Sequence, residues 1–132
     1  MRFIISAPDD FSFLATIQAH GWMQLPPFLW RPEFGILSYA YETESGGVVE
    51  VRISEAGGDL VVDAEGPDKQ ELIDRRVRRV LQLDHSLADF HTYCVTDSKL
   101  AHIPEKRLGR MLRSSTLWED TIKVIATSNT TW

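Results

Sequence analysis

The stretch that decides the fold is residues 36–65, ILSYAYETESGGVVEVRISEAGGDLVVDAE. Hydrophobic and polar side chains alternate with period two in three runs, ILSYAYE, VVEVRISEA and LVVDAEG, as in strands that have one buried face. SGG at residues 45–47 and GGD at residues 57–59 separate these runs and suit tight hairpin turns. The pattern predicts an antiparallel meander whose middle strand turns Val49 and Val51 towards a core.

The segments that precede the meander predict a strand, a helix and a loop. RFIIS at residues 2–6 is rich in aromatic and β-branched residues and indicates a short strand. The helix after it is expected to be capped by Asp9 or Asp10. Residues 22–35, WMQLPPFLWRPEFG, contain three prolines and are therefore predicted to form an irregular aromatic loop.

The segments that follow the meander predict further helices. LIDRRVRRVL, residues 72–81, has an apolar stripe at helical spacing that would cover the sheet, after a capping box from Asp68 to Glu71. Its RRVRR run is interpreted as a solvated face that acidic neighbours on the helix partly neutralise. One or two short helices are expected in residues 85–102, with Phe90 and Tyr93 or Cys94 directed inward. The predicted fold class is α+β, an antiparallel sheet backed by helices.

Composition restricts the class of protein. A chain of 132 residues, 43% hydrophobic and 25% charged, is typical of one globular domain. Its single cysteine cannot form an internal disulfide and no signal peptide precedes it, which favours an intracellular location in the cytoplasm or nucleoid. No apolar run is long enough to predict a membrane span. His85, His91 and His102 lack the paired spacing of zinc ligands, so no metal or cofactor is expected.

Charge divides the chain at about residue 104. Residues 1–104 carry nine Lys and Arg against sixteen Asp and Glu, whereas residues 105–132 carry five against three. PEKRLGRMLR, residues 104–113, is a locally basic stretch with four basic residues against one acid, Glu105, and its Arg110 and Arg113 are candidates for binding phosphate. The acidic balance of the remainder argues against a protein that binds nucleic acid through bulk positive charge.

A final helix is predicted to begin at about Leu117. Thr116 and Glu119 have capping-box spacing, and the sequence that follows puts apolar residues on one face and Lys123 on the solvent side. The expected apolar face consists of Leu117, Trp118, Ile122 and Ile125. Asp120 needs no role beyond the first-turn preference of acidic residues. The polar end of the helix, TSNTT, carries no closing signal, so further structure is expected to follow.

GRMLRSSTLWEDTIKVIATSNTTW, residues 109–132, resembles the junction segment of the helix-hairpin-helix DNA glycosylases, the superfamily of the 3-methyladenine and 8-oxoguanine enzymes. In that family an Arg-rich approach, a TLWED or PFE helix start and a TSN or SSN helix end lead into the catalytic domain. HGWMQLPPFLW and RRVRRVLQLDHSLADF are similar to the N-terminal domain of bacterial members.

The resemblance implies a division into residues 1–104, an N-terminal domain of TATA-binding-protein-like topology, and residues 105–132, a basic junction with the first helix of an absent catalytic domain. It places Asn129 at the position of the asparagine that enters the duplex, with Ser128 and Thr127 beside it at the DNA. The LPGxG hairpin of the family is missing, and its catalytic aspartate lies downstream, so no catalytic residue is assigned in this chain.

Three hypotheses follow. In the first, the chain is the N-terminal part of a base-excision-repair glycosylase that acts on damaged double-stranded DNA and is inactive alone. In the second, it is a non-enzymatic module that binds a protein or nucleic acid through its sheet. In the third, it is a small α+β domain whose last helix packs against the remainder. Under the first hypothesis the last helix has lost its neighbours, so a dimer or an exposed apolar patch is expected.

Overall fold

The computed structural model describes residues 1–128. Five antiparallel strands form one sheet in the order β1-β5-β4-β3-β2. The strands are β1 (Arg2–Ile5), β2 (Phe28–Arg31), β3 (Ile36–Glu42), β4 (Val48–Ala56) and β5 (Asp59–Glu65). The helices are α1 (Phe13–Gln18), α2 (Gln70–Leu81), α3 (Ala88–Cys94), α4 (His102–Glu105) and α5 (Leu117–Thr127). The α+β class is confirmed.

The meander forms as predicted because its alternation is local and continuous. Leu37 of β3, Ile53 of β4 and Val62 of β5 lie side by side in register and are fully buried. Ile73 and Val77 of α2 belong to the same buried cluster, so this helix covers the inner face of the sheet. Burying one such side chain contributes about 1.5–3 kcal/mol, which makes this layer the main source of stability.

The outer face of the sheet carries charged side chains. Arg52 of β4 forms ion pairs with Glu50 at 2.9 Å and with Glu65 of β5 at 3.1 Å. All three side chains are solvent-exposed, so the pairs contribute little to stability. The prediction of one covered face and one face in water is confirmed.

The expectation of an irregular loop over residues 22–35 is wrong in part. A single 3-10 turn spans Trp22–Gln24, and Phe28–Arg31 form strand β2, which pairs with β3 from Phe28 opposite Tyr39 onwards. Proline is compatible with the start of an edge strand because no ladder hydrogen bond is needed there. The two prolines that conceal this strand in the sequence lie just before it.

Two predicted helix caps are also corrected. Ser12 caps α1 by accepting a hydrogen bond from the Ala15 backbone N–H at 3.3 Å, and neither predicted aspartate does so. Helix α2 begins without a side-chain cap, because the carboxylate of Asp68 instead accepts a hydrogen bond from the Tyr41 hydroxyl at 2.9 Å. Helix α1 thus keeps a local cap from a different residue, whereas Asp68 is used in a tertiary contact.

Helix α3 lies within residues 85–102, where one or two short helices are expected, and α4 begins at the last residue of that segment. Leu87 and Cys94 are buried, whereas Phe90 and Tyr93 are exposed, contrary to the inward direction predicted for Phe90. None of the helices within residues 1–128 is long and apolar enough to cross a membrane.

Gly66, directly after β5, lies close against the backbone of β4. Its φ is +143°, and a Cβ there would lie 2.7 Å from the Val48 carbonyl oxygen and 2.8 Å from the Val49 Cα. We expect Gly66→Ala to lower the free energy of unfolding by about 3 kcal/mol or more, because backbone strain and overpacking add.

Urea denaturation measures this cost, and Gly57→Ala is its matched control. Gly57 also has a positive φ, but a Cβ there would meet no atom within 4 Å, so only about 1–2 kcal/mol should be lost. Equal losses for the two variants would show that the close approach at Gly66 does not matter.

Candidate functional site

The chain between α4 and α5 is fixed to the domain by backbone hydrogen bonds. The Leu112 N–H donates to the Thr16 carbonyl of α1 at 3.2 Å, and the Arg113 N–H donates to the Val80 carbonyl of α2 at 2.9 Å. Leu112 is fully buried in the main core. The position at which α5 begins is therefore set by the same core that holds the sheet.

Arg110 is buried within the domain. Its side chain is 1% exposed and forms an ion pair with Asp10 at 3.0 Å. Nη1 also donates to the Asp10 carbonyl at 3.0 Å, Nη2 to the His85 carbonyl at 2.9 Å and Nε to the Gln82 carbonyl at 3.3 Å. These contacts use the donors of Arg110 inside the protein and argue against the predicted contact of Arg110 with DNA.

Asp120 is the ionic centre of the junction. Its Oδ2 lies 3.0 Å from Arg79 Nη2 and 3.5 Å from Arg113 Nη2, and its Oδ1 accepts the Ser114 backbone N–H at 2.7 Å. The carboxylate is largely buried. This side chain therefore joins α2, the preceding segment and α5, a role much larger than the first-turn preference that the sequence suggests.

Lys123 is also directed towards the domain. Its Nζ donates to Glu119 Oε1 at 2.7 Å and to Ser114 Oγ at 3.0 Å, and it lies 5.3 Å and 5.1 Å from the ring centres of Trp22 and Phe28. Only 13% of the side chain is exposed. The prediction of a solvent-facing lysine is wrong because the aromatic rings and Glu119 stabilise the ammonium beside the core.

The apolar stripe of α5 faces the solvent as a result. The helix begins at Leu117 with Thr116 accepting the Glu119 N–H at 3.2 Å, as predicted. Leu117, Trp118 and Ile125 are 66%, 73% and 63% exposed, and Ile122 and Val124 are exposed as well. Helix α5 thus packs on the domain through polar side chains and presents its apolar stripe outward, which is the exposed patch that the first hypothesis expects.

The predicted DNA-contacting residues lie towards the two ends of this helix. Arg113 precedes its first turn and is partly exposed. At the other end, the side-chain hydroxyls of Thr127 and Ser128 both donate to the Val124 carbonyl, at 3.0 Å and 3.1 Å. Asn129 lies outside the described residues.

A cavity of about 420 Å³ opens beside the start of α5. It is lined by His20, Trp22, Gln82, Met111, Leu112, Arg113, Asp120 and Val124. Partial burial lowers the pKa of His20 below its usual value, and the charge of Asp120 offsets this only in part. This shift favours the neutral imidazole, and among the residues that line the cavity Arg113 carries the positive charge.

Arg79 is the residue of this site that sequence reasoning missed. The sequence pattern places it on a solvated helix face, yet it pairs with Asp120 across 41 residues. A signal was present: Arg75 and Leu83 lie four residues away on either side, so Arg79 has no acidic neighbour at helical spacing.

Among residues 1–128 no group of His, Cys, Asp and Glu could hold a metal ion.

Comparison with known proteins establishes the fold. No protein-family model and no curated protein matches the chain. Among solved structures, a 3-methyladenine DNA glycosylase from Archaeoglobus fulgidus matches with a TM-score of 0.74 over 98% of this chain, at 17% sequence identity. The chain spans 45% of the length of that protein. The fold is therefore one that also occurs in a DNA glycosylase.

Arg110 provides a stability test of the junction. We expect Arg110→Gln to lower the free energy of unfolding by about 3–5 kcal/mol, because a buried cation is removed and Asp10 and the backbone carbonyls of Gln82 and His85 lose their donor. Urea denaturation measures the change. Arg113→Gln is the control and should cost less than about 1 kcal/mol, because that side chain is partly exposed. A cost below about 1 kcal/mol for Arg110→Gln would contradict the structural role.

Proposed function

We propose that this chain is the N-terminal domain of a base-excision-repair DNA glycosylase, and that it positions the helix which leads into a catalytic domain. The observation that carries the proposal is the outward apolar stripe of α5. A domain that was complete in itself would turn Leu117, Trp118 and Ile125 towards its own core. Here those three side chains are more than 60% exposed, while polar residues of the same helix make the contacts.

Such a stripe is typical of an interface. Covering one large apolar side chain contributes about 1.5–3 kcal/mol, so three or four of them supply enough energy to attach a second domain firmly. The archaeal glycosylase that shares this fold extends over more than twice the matched length. Both facts support a helical catalytic domain as the partner of α5.

On this proposal the chain contributes to base flipping at the C-terminal end of α5. Extruding a base costs a few kcal/mol of stacking and pairing. The amide of Asn129, beside Thr127 and Ser128, fills the space and hydrogen-bonds the unpaired base opposite. Water then attacks the sugar carbon of the glycosidic bond, the base departs with the bonding electrons, and a carboxylate supplied from outside this chain accepts the proton of the water.

The charges on the solvent-facing side of the sheet do not support the second hypothesis, in which the sheet binds nucleic acid. Its arginine at the centre of β4, Arg52, is already paired with Glu50 and Glu65. Phosphate contacts require lysine or arginine side chains that are free to replace counterions. The junction, with Arg113 exposed in part, is the better candidate for contact with a DNA backbone.

Base release provides the direct test. We expect the 132-residue chain to release no base from duplex DNA that carries alkylated or oxidised bases, because no catalytic carboxylate is assigned to it. The longest open reading frame that contains this chain is expected to release one of them. The release is measured as free base by chromatography. Excision by the 132-residue chain, or none by the longer product on either substrate, would contradict the proposal.

Polar substitutions on α5 test the interface separately. Replacing Trp118 and Ile125 by Gln should change the free energy of unfolding of this chain by less than about 0.5 kcal/mol per site, because both side chains are already exposed. The same changes should reduce the thermal stability and the excision activity of the longer product.

Leu14→Gln is the matched control, since Leu14 is an exposed apolar residue on α1. It should leave both properties of the longer product unchanged. If Leu14→Gln and the α5 variants have equal effects, the stripe is not an interface.

A further inference from the structure

Two guanidinium groups at the base of α5 share a single carboxylate. Arg79 and Arg113 come from different elements, and both contact Oδ2 of Asp120. The second oxygen of Asp120 is occupied by the Ser114 N–H. Two positive charges thus face one negative charge, and the donors of this cluster outnumber its acceptors.

One of these donors is buried without an acceptor. Arg79 Nε is inaccessible to solvent and has no hydrogen-bond partner within residues 1–128. An unpaired buried donor costs about 1–3 kcal/mol, and native proteins usually satisfy such groups with water or an ion. The contact of Arg113 with Asp120 is long at 3.5 Å, so this guanidinium is also only weakly satisfied.

The surroundings suit an oxyanion. Arg113 and Asp120 line the cavity of about 420 Å³, in which His20 and Gln82 add polar atoms. Arg79 does not line this cavity, but 32% of its side chain is exposed beside Asp120. Guanidinium groups match the geometry of phosphate oxygens and bind them through charge-assisted hydrogen bonds. A phosphate bears only acceptors on its free oxygens, and acceptors are what this cluster lacks.

We propose that Arg79 and Arg113 form a phosphate-binding site at the base of α5, in which a phosphate competes with the Asp120 carboxylate for the two guanidinium groups. In DNA the ligand is a backbone phosphate, and this part rests on the proposed function. The eight residues from Asp120 to Ser128 rise about 12 Å along the helix. This length corresponds to roughly three or four base steps along one strand, so α5 could hold the backbone at its start while its end reaches the flipped base.

Inorganic phosphate tests the site without DNA. In the 132-residue chain, phosphate added at constant ionic strength should shift the NMR signal of the Arg79 Nε–H, and Arg113→Gln should weaken this binding roughly tenfold or more. Arg75→Gln is the matched control, because Arg75 is an exposed arginine on the same helix. It should leave phosphate binding unchanged.

Asp120→Asn separates a binding site from a purely structural cluster. The amide oxygen can still accept the Ser114 N–H, but the competing negative charge is gone, so phosphate affinity should rise about tenfold. A cluster that serves only to attach α5 predicts no phosphate binding in either protein. An Arg79 Nε–H signal that does not respond to phosphate in either protein would overturn the proposal.

Duplex DNA distinguishes a backbone phosphate from the free ion. If the ligand is the backbone, Arg113→Gln should reduce the slope of log affinity against log salt by about 1, and Arg75→Gln should not. If phosphate binds but the slope does not change, Arg79 and Arg113 form an anion site whose ligand is not the DNA backbone. If Arg113→Gln reduces the slope as expected in the longer product but that product releases no base, the DNA-phosphate site stands and the glycosylase function is wrong.

Discussion

The carboxylate of Asp120 determines which way α5 faces. It holds Arg79 of α2, Arg113 and the Ser114 backbone at one point, all within 3.5 Å. From the hydrophobic effect alone, an amphipathic helix would gain more free energy by packing its apolar stripe against the domain than by packing its polar side there. The charged cluster and the Lys123 contacts keep the polar stripe against the domain instead. The exposed apolar surface, and with it the proposed attachment of a catalytic domain, depends on this ionic arrangement.

A cluster of this kind is better suited to a joint than to a core. Buried ion pairs contribute little net stability because desolvation offsets much of the attraction, but they fix geometry closely. Arg110 fixes the chain between α4 and α5 in the same way, because four acceptors surround its buried guanidinium. The two arginine clusters together fix the direction in which α5 leaves the domain. For a helix proposed to reach into DNA at its far end, direction matters more than affinity.

The elements that sequence patterns predicted well are those whose signal is local. The meander of β3, β4 and β5 follows from period-two alternation, and the start of α5 follows from Thr116 and Glu119. Strand β2 was missed because its evidence is a pairing with Tyr39 and not a feature of its own four residues. The face of α5 was predicted wrongly because a helical stripe shows which side is apolar and not which side has a partner. Arg79 and Arg110 were misjudged because their acidic partners lie 41 and 100 residues away.

The charge pattern also has a different meaning once the contacts are known. The five basic residues after residue 104 suggest a cationic patch, but Arg110 is neutralised by Asp10, and Lys123 by Glu119. Few positive charges therefore remain to release counterions from DNA, and a protein that neutralises two or three phosphates binds duplexes weakly at physiological salt. Strong binding would have to come from the catalytic domain of the proposed enzyme. The contribution of this domain would then be to hold one helix at a fixed angle, which needs specific buried contacts and only a small positive surface.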